Sequence, residues 1–294
     1  MRPLTFIGAP ADSVSRGGGA ELAPAALREL GLPQALGGAD GGELPVRIRG
    51  ERRDPDSGLL AAADVLATTA TIRGDVAARI SAGNRPFVCG GCCAVLPGAL
   101  AGARDALGEL GLVHLDGHAD LYDGQTSTSG EAADMPISVA LGLGPAAWVE
   151  AAGGASLQGG RTALLGYRDR EESVRDGMAQ PETLDSPPLL FPVEEVRSIG
   201  PAAAAERALD RLGPERPLWL HFDVDVIDQA VFPATEYLMP DGLDWDELAA
   251  VLPPLLSSPR LIGASLGCYD PSKDPGSRCG ERLVAVIDGA FGDG

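Results

Sequence analysis

The chain has 294 residues, a formal net charge of −19, 45% hydrophobic residues and 4% aromatics. That acidity argues against nucleic acid and anionic membrane surfaces as partners, and no apolar run reaches the length of a membrane span. The hydrophobic fraction supports a large core, which Ala, Val and Leu must fill because aromatics are scarce. The N-terminal apolar run is a first strand and not a signal-peptide core. The five cysteines, Cys89, Cys92, Cys93, Cys268 and Cys279, are an odd count. They point to a reducing cytoplasm with free thiols or metal ligands, not a disulfide framework.

In chain order, Pro3–Pro10 is a strand and Leu44–Ile48 a weaker one. Gly58–Gly83 is a long helix with Gly near its end, Pro86–Gly91 a strand ending in a Gly pair, and Leu96–Leu110 a helix. Gly111–Gly117 is a strand. Met135–Gly144 starts a helix with Pro136 in its first turn. Thr162–Tyr167 is a strand, Pro201–Gly213 a helix and Pro217–Asp228 a strand. Asp244–Ser258 is a helix that Asp244 caps. Leu261–Pro271 is a strand, and a short helix around Leu283–Ile287 closes the chain. Asp176–Phe191 is expected to be a long surface loop. Strands apolar on both faces and separated by helices indicate an α/β fold, a mostly parallel sheet with helices on both sides. Nothing in the composition divides residues 1–294 into two domains.

Ligands bind such sheets beyond the carboxyl ends of the strands, and three of those ends are polar: "CGGCCA" (Cys89–Ala94), "HLDGHADLYD" (His114–Asp123) and "HFDVDVID" (His221–Asp228). In an extended segment Asp116, His118 and Asp120 point one way, as do Asp223 and Asp225. Carboxylates within ~4 Å of each other repel by several kcal/mol at an effective dielectric of ~20. They must take up protons or cations. Two divalent ions balance Asp116, Asp120, Asp223 and Asp225, and His118 adds a neutral ligand. A set rich in carboxylate and poor in imidazole favours manganese over zinc. Two ions ~3.5–4 Å apart would make a hydroxide of a shared water, so the implied chemistry is metal-assisted hydrolysis.

These motifs resemble, in order and spacing, the three signatures of the arginase/agmatinase/formiminoglutamase (ureohydrolase) family: Gly-Gly-Asp-His-Ser, Asp-Ala-His-x-Asp and Ser-x-Asp-x-Asp-x-x-Asp-Pro. "GGGAELAPAALRELGL" (Gly17–Leu32), "LLGYRD" (Leu164–Asp169) and "CYDPSKD" (Cys268–Asp274) look like three further family segments, so the resemblance covers nearly the whole chain. It implies a three-layer α/β/α fold and a binuclear manganese centre. It also implies hydrolysis of guanidino groups and a homo-oligomer, a trimer or hexamer. Carried over by position, Asp116, His118, Asp120, Asp223 and Asp225 match metal ligands, with Asp116 and Asp223 bridging.

The departures define a divergent member. Cys93 stands where the family has its first histidine ligand. It is either a thiolate ligand, which shifts preference toward zinc, iron or nickel, or a small buried core residue that leaves one metal position altered or empty. Ala133 stands at the family's proton-shuttle histidine; Asp134 or Glu131 is then either a substrate-facing acid or a loop and capping residue. Cys268 replaces the acid that pairs with the guanidinium, and packing or substrate contact suits it better than attack, because nearby carboxylates raise a thiol's pKa. His114 and His221 are core histidines or hydrogen-bond partners of ligands. Asp228 braces its loop. The expected function is hydrolysis of a C–N bond in a guanidino, amidino or related amide compound, a small molecule other than arginine. A metal-held hydroxide attacks and Asp120 orients it. The alternative is a non-catalytic or mononuclear relative that keeps the fold for binding or assembly.

Overall fold

Short apolar runs bounded by Gly, Pro and Asp become strands, and longer amphipathic runs become helices. The structure, a computed structural model, describes residues 3–14 and 18–291; Gly17, which opens one of the family-like segments, lies outside them. The elements in order are β1 (Thr5–Ala9), α1 (Ala23–Glu29), α2 (Leu32–Ala35), β2 (Asp40–Glu43), α3 (Ala62–Ser81), β3 (Pro86–Gly90) and α4 (Leu96–Leu107). Then come β4 (Gly111–Leu115), α5 (Pro136–Leu141), α6 (Ala146–Ala151), β5 (Thr162–Leu165), α7 (Arg170–Arg175), β6 (Leu189–Phe191), α8 (Val193–Ile199) and α9 (Pro201–Arg211). The last are β7 (Leu218–Asp223), α10 (Trp245–Leu256), β8 (Leu261–Gly267) and α11 (Arg278–Phe291).

The strands form one eight-stranded sheet in the order β2-β1-β3-β8-β7-β4-β5-β6, and every strand pair is parallel. Every residue of β3, β4 and β7 is buried, as expected where helices cover both faces. Helices α3, α4, α5 and α6 pack together as one layer, and α1, α2, α8, α9, α10 and α11 as the other. This is the three-layer α/β/α arrangement. Between β3 and β4 the chain skips two places, which β7 and β8 later fill. The carboxyl edge of these four strands is therefore where the winding changes direction, the usual ligand position in such sheets.

Four elements differ from the sequence expectation. Leu44–Ile48 is not a strand, although Leu44, Val46 and Ile48 are buried and alternate with exposed residues. Pro45 has no N–H, and the Val46 N–H turns back to the Leu44 carbonyl at 2.8 Å. Its apolar period gives burial without a ladder, and β2 forms just before it. The Asp176–Phe191 loop ends in the edge strand β6, which pairs Ala163 with Leu189. The long helix starts at Ala62, because Gly58 (φ +70°) and Ala61 (φ +53°) are left-handed. The last helix runs for 14 residues, its buried positions Gly280, Leu283, Val284, Ile287 and Ala290 forming one stripe. Asp244 does cap α10, through a capping box with Glu247.

Helices α3 and α4 approach closely because α4 carries Gly102. A Cβ there would stand 2.5 Å from the Arg73 carbonyl oxygen of α3. Helix propensity favours Gly→Ala by about 1 kcal/mol, whereas a clash with backbone costs about 1–3 kcal/mol or more. Gly102→Ala should therefore lower stability in urea unfolding. Gly74→Ala on α3, where nothing lies within 4 Å, should raise it by up to about 1 kcal/mol. Equal effects at the two sites would contradict this packing.

Candidate metal centre

The central strand ends deliver the polar residues to one crevice. Cys93 opens a 3-10 turn after β3, Asp116 follows β4, Asp223 ends β7 and Cys268 follows β8. Neither acidic motif stays extended. Asp223 caps the turn Val224–Val226, its carboxylate accepting from the Asp225 N–H at 2.8 Å. The Asp116 carboxylate accepts from the His118 N–H at 2.7 Å, and Asp225 from the Gly117 N–H at 3.0 Å. Asp120 turns back through a left-handed conformation, φ +52°, which Asp tolerates better than most residues. Its carbonyl accepts from Ile137 and Ser138 at the start of α5. Convergence thus comes from tight turns whose backbone donors fix the carboxylates, not from strand alternation. Arg168 secures the loop behind Asp225, donating to the carbonyls of Asp225, Met239 and Pro240.

Among the described residues, three groups have donor atoms within 4.8 Å of one another: Asp116, His118 and Asp225; Cys93, Asp116, His221 and Asp223; and His114, Asp116 and Asp120. Asp116 belongs to all three. His118 Nδ1 is 3.0 Å from Asp225 Oδ2, and Cys93 Sγ is 2.6 Å from Asp223 Oδ2. Asp116, Asp120, Asp223 and Asp225 are all buried.

This density of buried charge moves the titration of the four aspartates, of His118 and His221, and of Cys93. Burial and the charge of Asp116 push Asp120 well above the usual carboxylate range. Burial, then Asp225 and Asp116, do the same to Asp223. Burial raises Asp225 too, partly offset by His118. Burial works against charge on Asp116, yet the imidazoles of His114 and His118 hold it well below that range. Burial also opposes a charged His118, but Asp225 and Asp116 prevail and raise it well above an ordinary histidine. Burial lowers His221 to about 3, and burial together with Cys268 and Asp223 keeps the Cys93 thiol high. A cluster that needs protons to exist alone is one that cations would displace them from.

The structure brings together Cys93, Asp116, His118, Asp120, Asp223 and Asp225. Cys268 lines the same crevice, with its sulfur 3.7 Å from that of Cys93. Its backbone is left-handed, φ +68°, a strain of order 1–3 kcal/mol. Asp134 also lines the crevice and accepts from the Ser127 and Ser129 hydroxyls. Glu131 does not line it. It stands behind Tyr237, whose hydroxyl it accepts at 2.6 Å. Asp228 does brace its loop, accepting from Ala230 and Gly242. Cys92 turns away to Ser13.

Sequence reasoning did not place Tyr237, Asp169 or Glu172 on this wall. Tyr237 sits in a loop after β7 with no pattern to flag it. Asp169 follows β5 on the same sheet edge, and its position was the available signal. His114 and His221 had a clearer one: each stands two residues before a strand-end aspartate, hence on the same face. His114 is no satisfied core histidine. Its Nε2 lies 3.1 Å from Asp116 and 3.5 Å from Asp120, yet neither ring nitrogen completes a hydrogen bond.

Fold and site together define a parallel α/β protein that gathers acidic, imidazole and thiol donors at the carboxyl edge of its central strands. The sequence model of the arginase family matches residues 2–288, and the chain belongs to that family. It is 25% identical to an arginase of Bacillus subtilis (strain 168), an alignment covering 99% of this chain and 98% of that one. It is 31% identical to an N(omega)-hydroxy-L-arginine amidinohydrolase of Streptomyces lavendulae over 60% of this chain and 56% of the relative. The native arginase structure from Bacillus caldovelox matches with a TM-score of 0.86 at 22% identity, covering 100% of this chain and 99% of that one. Among the described residues no helix is long and apolar enough to cross a membrane.

The raised groups set a sign for stability against pH. Asp120, Asp223 and His118 bind protons more tightly folded than unfolded. Each contributes stability that is complete below its unfolded pKa, about 4 for Asp and about 6.5 for His, and lost as pH rises through its folded value. Asp116, which is lowered, acts oppositely below about pH 4, and His221, lowered to about 3, acts oppositely up to about pH 6.5. With a chelator present, the thermal midpoint should therefore fall between about pH 6.5 and pH 8, and excess Mn²⁺ should reverse the fall. A midpoint that rises over that window, or ignores metal, would contradict this.

Proposed function

We propose that this chain is a divalent-metal-dependent hydrolase that cleaves the C–N bond of a cationic guanidino or amidino compound. The observation that carries the reading is the meeting of His118, Asp120, Asp223, Asp225 and Cys93 on one crevice, with buried Asp116 a member of every donor group beside it. The donor chemistry fits a pair of divalent ions. Asp116, His118 and Asp225 form a set suited to manganese, Asp116 belongs to every donor group and would be the residue shared, and buried Asp120 Oδ2 has no hydrogen-bond partner. Divalent ions bound there would supply Lewis acidity and bring the pKa of water near neutrality.

The chain's own side chains do the rest. Asp120 borders the crevice; once cations have displaced its proton, its carboxylate can take the proton of an attacking water and pass it on. Asp134, Asp169, Glu172 and Asp176 make the crevice wall negative, which attracts a guanidinium or amidinium and disfavours a carboxylate-rich ligand. Tyr237 stands edge-on to His118, ring centroids 5.8 Å apart, and narrows the mouth. Cys268 offers no charge where an acid on the last strand would pair with a guanidinium, so cation recognition falls to those four acids. That change and the lack of a histidine at Ala133 disfavour arginine itself as the substrate. The relatives named arginase and amidinohydrolase support the reaction class.

A panel of guanidines, amidines and neutral amides tests the reading. Cationic members should be hydrolysed only after metal loading, and arginine slowly or not at all. Asp120→Asn should lower kcat by about 10²–10⁴-fold. Absence of turnover across the panel with metal fully loaded would overturn the assignment.

A further inference from the structure

The base of the crevice holds two imidazoles that the proposed reaction does not use. His114 and His221 are register partners on β4 and β7. Their rings stack at 5.2 Å with an interplanar angle of 11°, and both are fully buried. Each stands on the same face as the aspartate two residues on, so the pair lies directly beneath Asp116 and Asp223. His221 Nε2 is 3.1 Å from Cys93 Sγ, and its Nδ1 is 2.7 Å from Ser265 Oγ. Trp219 Nε1 also donates to Ser265 Oγ, at 3.0 Å. A hydroxyl oxygen can accept twice. With Nδ1–H donating to Ser265, His221 presents an Nε2 lone pair to the cluster, the arrangement that orients a metal-binding histidine.

We infer that the inner half of the centre is a thiolate–imidazole–carboxylate site, formed by Cys93, His221, Asp116 and Asp223, that takes zinc or another borderline divalent ion in preference to manganese. The outer half, Asp116, His118 and Asp225, keeps oxygen-rich ligation. The inference rests on reading the crevice as a metal centre. It adds a ligand from β7 and a different metal for each half. One sulfur, one nitrogen and two carboxylate oxygens are an ordinary zinc donor set, and thiolate ligation disfavours manganese, the weakest binder of its series. Bonds of about 2.0–2.3 Å place donors on one ion roughly 3–4 Å apart. The Cys93–His221 separation of 3.1 Å and the Cys93–Asp116 separation of 3.9 Å fall in that span. The 2.6 Å Cys93–Asp223 contact must open by about an ångström. Fully buried His114, its Nε2 3.1 Å from Asp116 and 3.5 Å from Asp120, stands beside the same carboxylates. It would hold Asp116 and Asp120 in place from below.

Cobalt is the probe. The full chain, stripped with a chelator and titrated with Co²⁺, should develop a sulfur-to-cobalt charge-transfer band in the near ultraviolet. X-ray absorption of the zinc-loaded protein should show one sulfur neighbour. Cys93→Ser should abolish the band, and His221→Asn should weaken inner-site cobalt binding by at least ~10-fold while the outer site still fills. Cys93→His guards against a folding failure: it should bind two ions without the band and shift preference toward manganese. A band that persists in either Cys93 variant, or cobalt binding unchanged in His221→Asn, would overturn the inference. The band with no hydrolysis of any substrate would support this site while sinking the hydrolase reading. Turnover with manganese in both positions and no sulfur neighbour would do the reverse.

Discussion

Repulsion among buried carboxylates is the constraint on which this site depends. Asp116, Asp120, Asp223 and Asp225 lie at the middle of the sheet with almost no contact with water. Two unit charges ~4 Å apart still repel by about 4 kcal/mol at an effective dielectric near 20. No hydrogen bond in the crevice offsets several such terms. His118 and His114 bring only Asp116 below the usual range, while Asp120 and Asp223 remain pushed toward their protonated forms. Divalent cations are the economical way to neutralise such a cluster, and the family to which the chain belongs supports the same conclusion.

The fold keeps these charges together against their repulsion. Parallel pairing sets β4 beside β7 and β7 beside β8, so the aspartates following or ending β4 and β7 are neighbours by register. Turns then lock their orientation: the Asp225, His118 and Gly117 amides each donate to a carboxylate. Arg168 ties the loop after β7 to the end of β5 through the carbonyls of Asp225, Val226, Met239 and Pro240. Strain is tolerated where it aims a side chain, as at Asp120 and Cys268.

Much of this is legible in the residues themselves. The strands of the sheet centre are continuous apolar runs, and Asp116, His118, Asp223 and Asp225 declare themselves by spacing. What the sequence hides has physical causes. Leu44–Ile48 has the period of a strand, but Pro45 removes a donor that a ladder needs. The three-residue β6 is too short to show a period. Tyr237 reaches the crevice only through the packing of a distant loop. Alternation along an extended chain was the wrong reason for the right convergence, because both acidic motifs leave the strand and turn. The histidines are the instructive case. A buried histidine ordinarily satisfies its nitrogens locally, and only the structure shows His114 with neither satisfied and His221 facing a thiol.

The differences from the family pattern form one group. Cys93 and Cys268 put two sulfurs at the crevice floor, and His221 puts a nitrogen beside one of them, so a softer set of donors has collected on the β3–β8–β7 side. The acids Asp134, Asp169, Glu172 and Asp176 line the same crevice. Metal chemistry and cation recognition would be divided differently from a site with an acid on its last strand. The most direct test is anomalous diffraction from crystals grown with both manganese and zinc. The account predicts two peaks flanking the Asp116 and Asp223 carboxylates, ~3.5–4 Å apart. A crevice without an anomalous peak, with its carboxylates bonded to each other through protons, would contradict it.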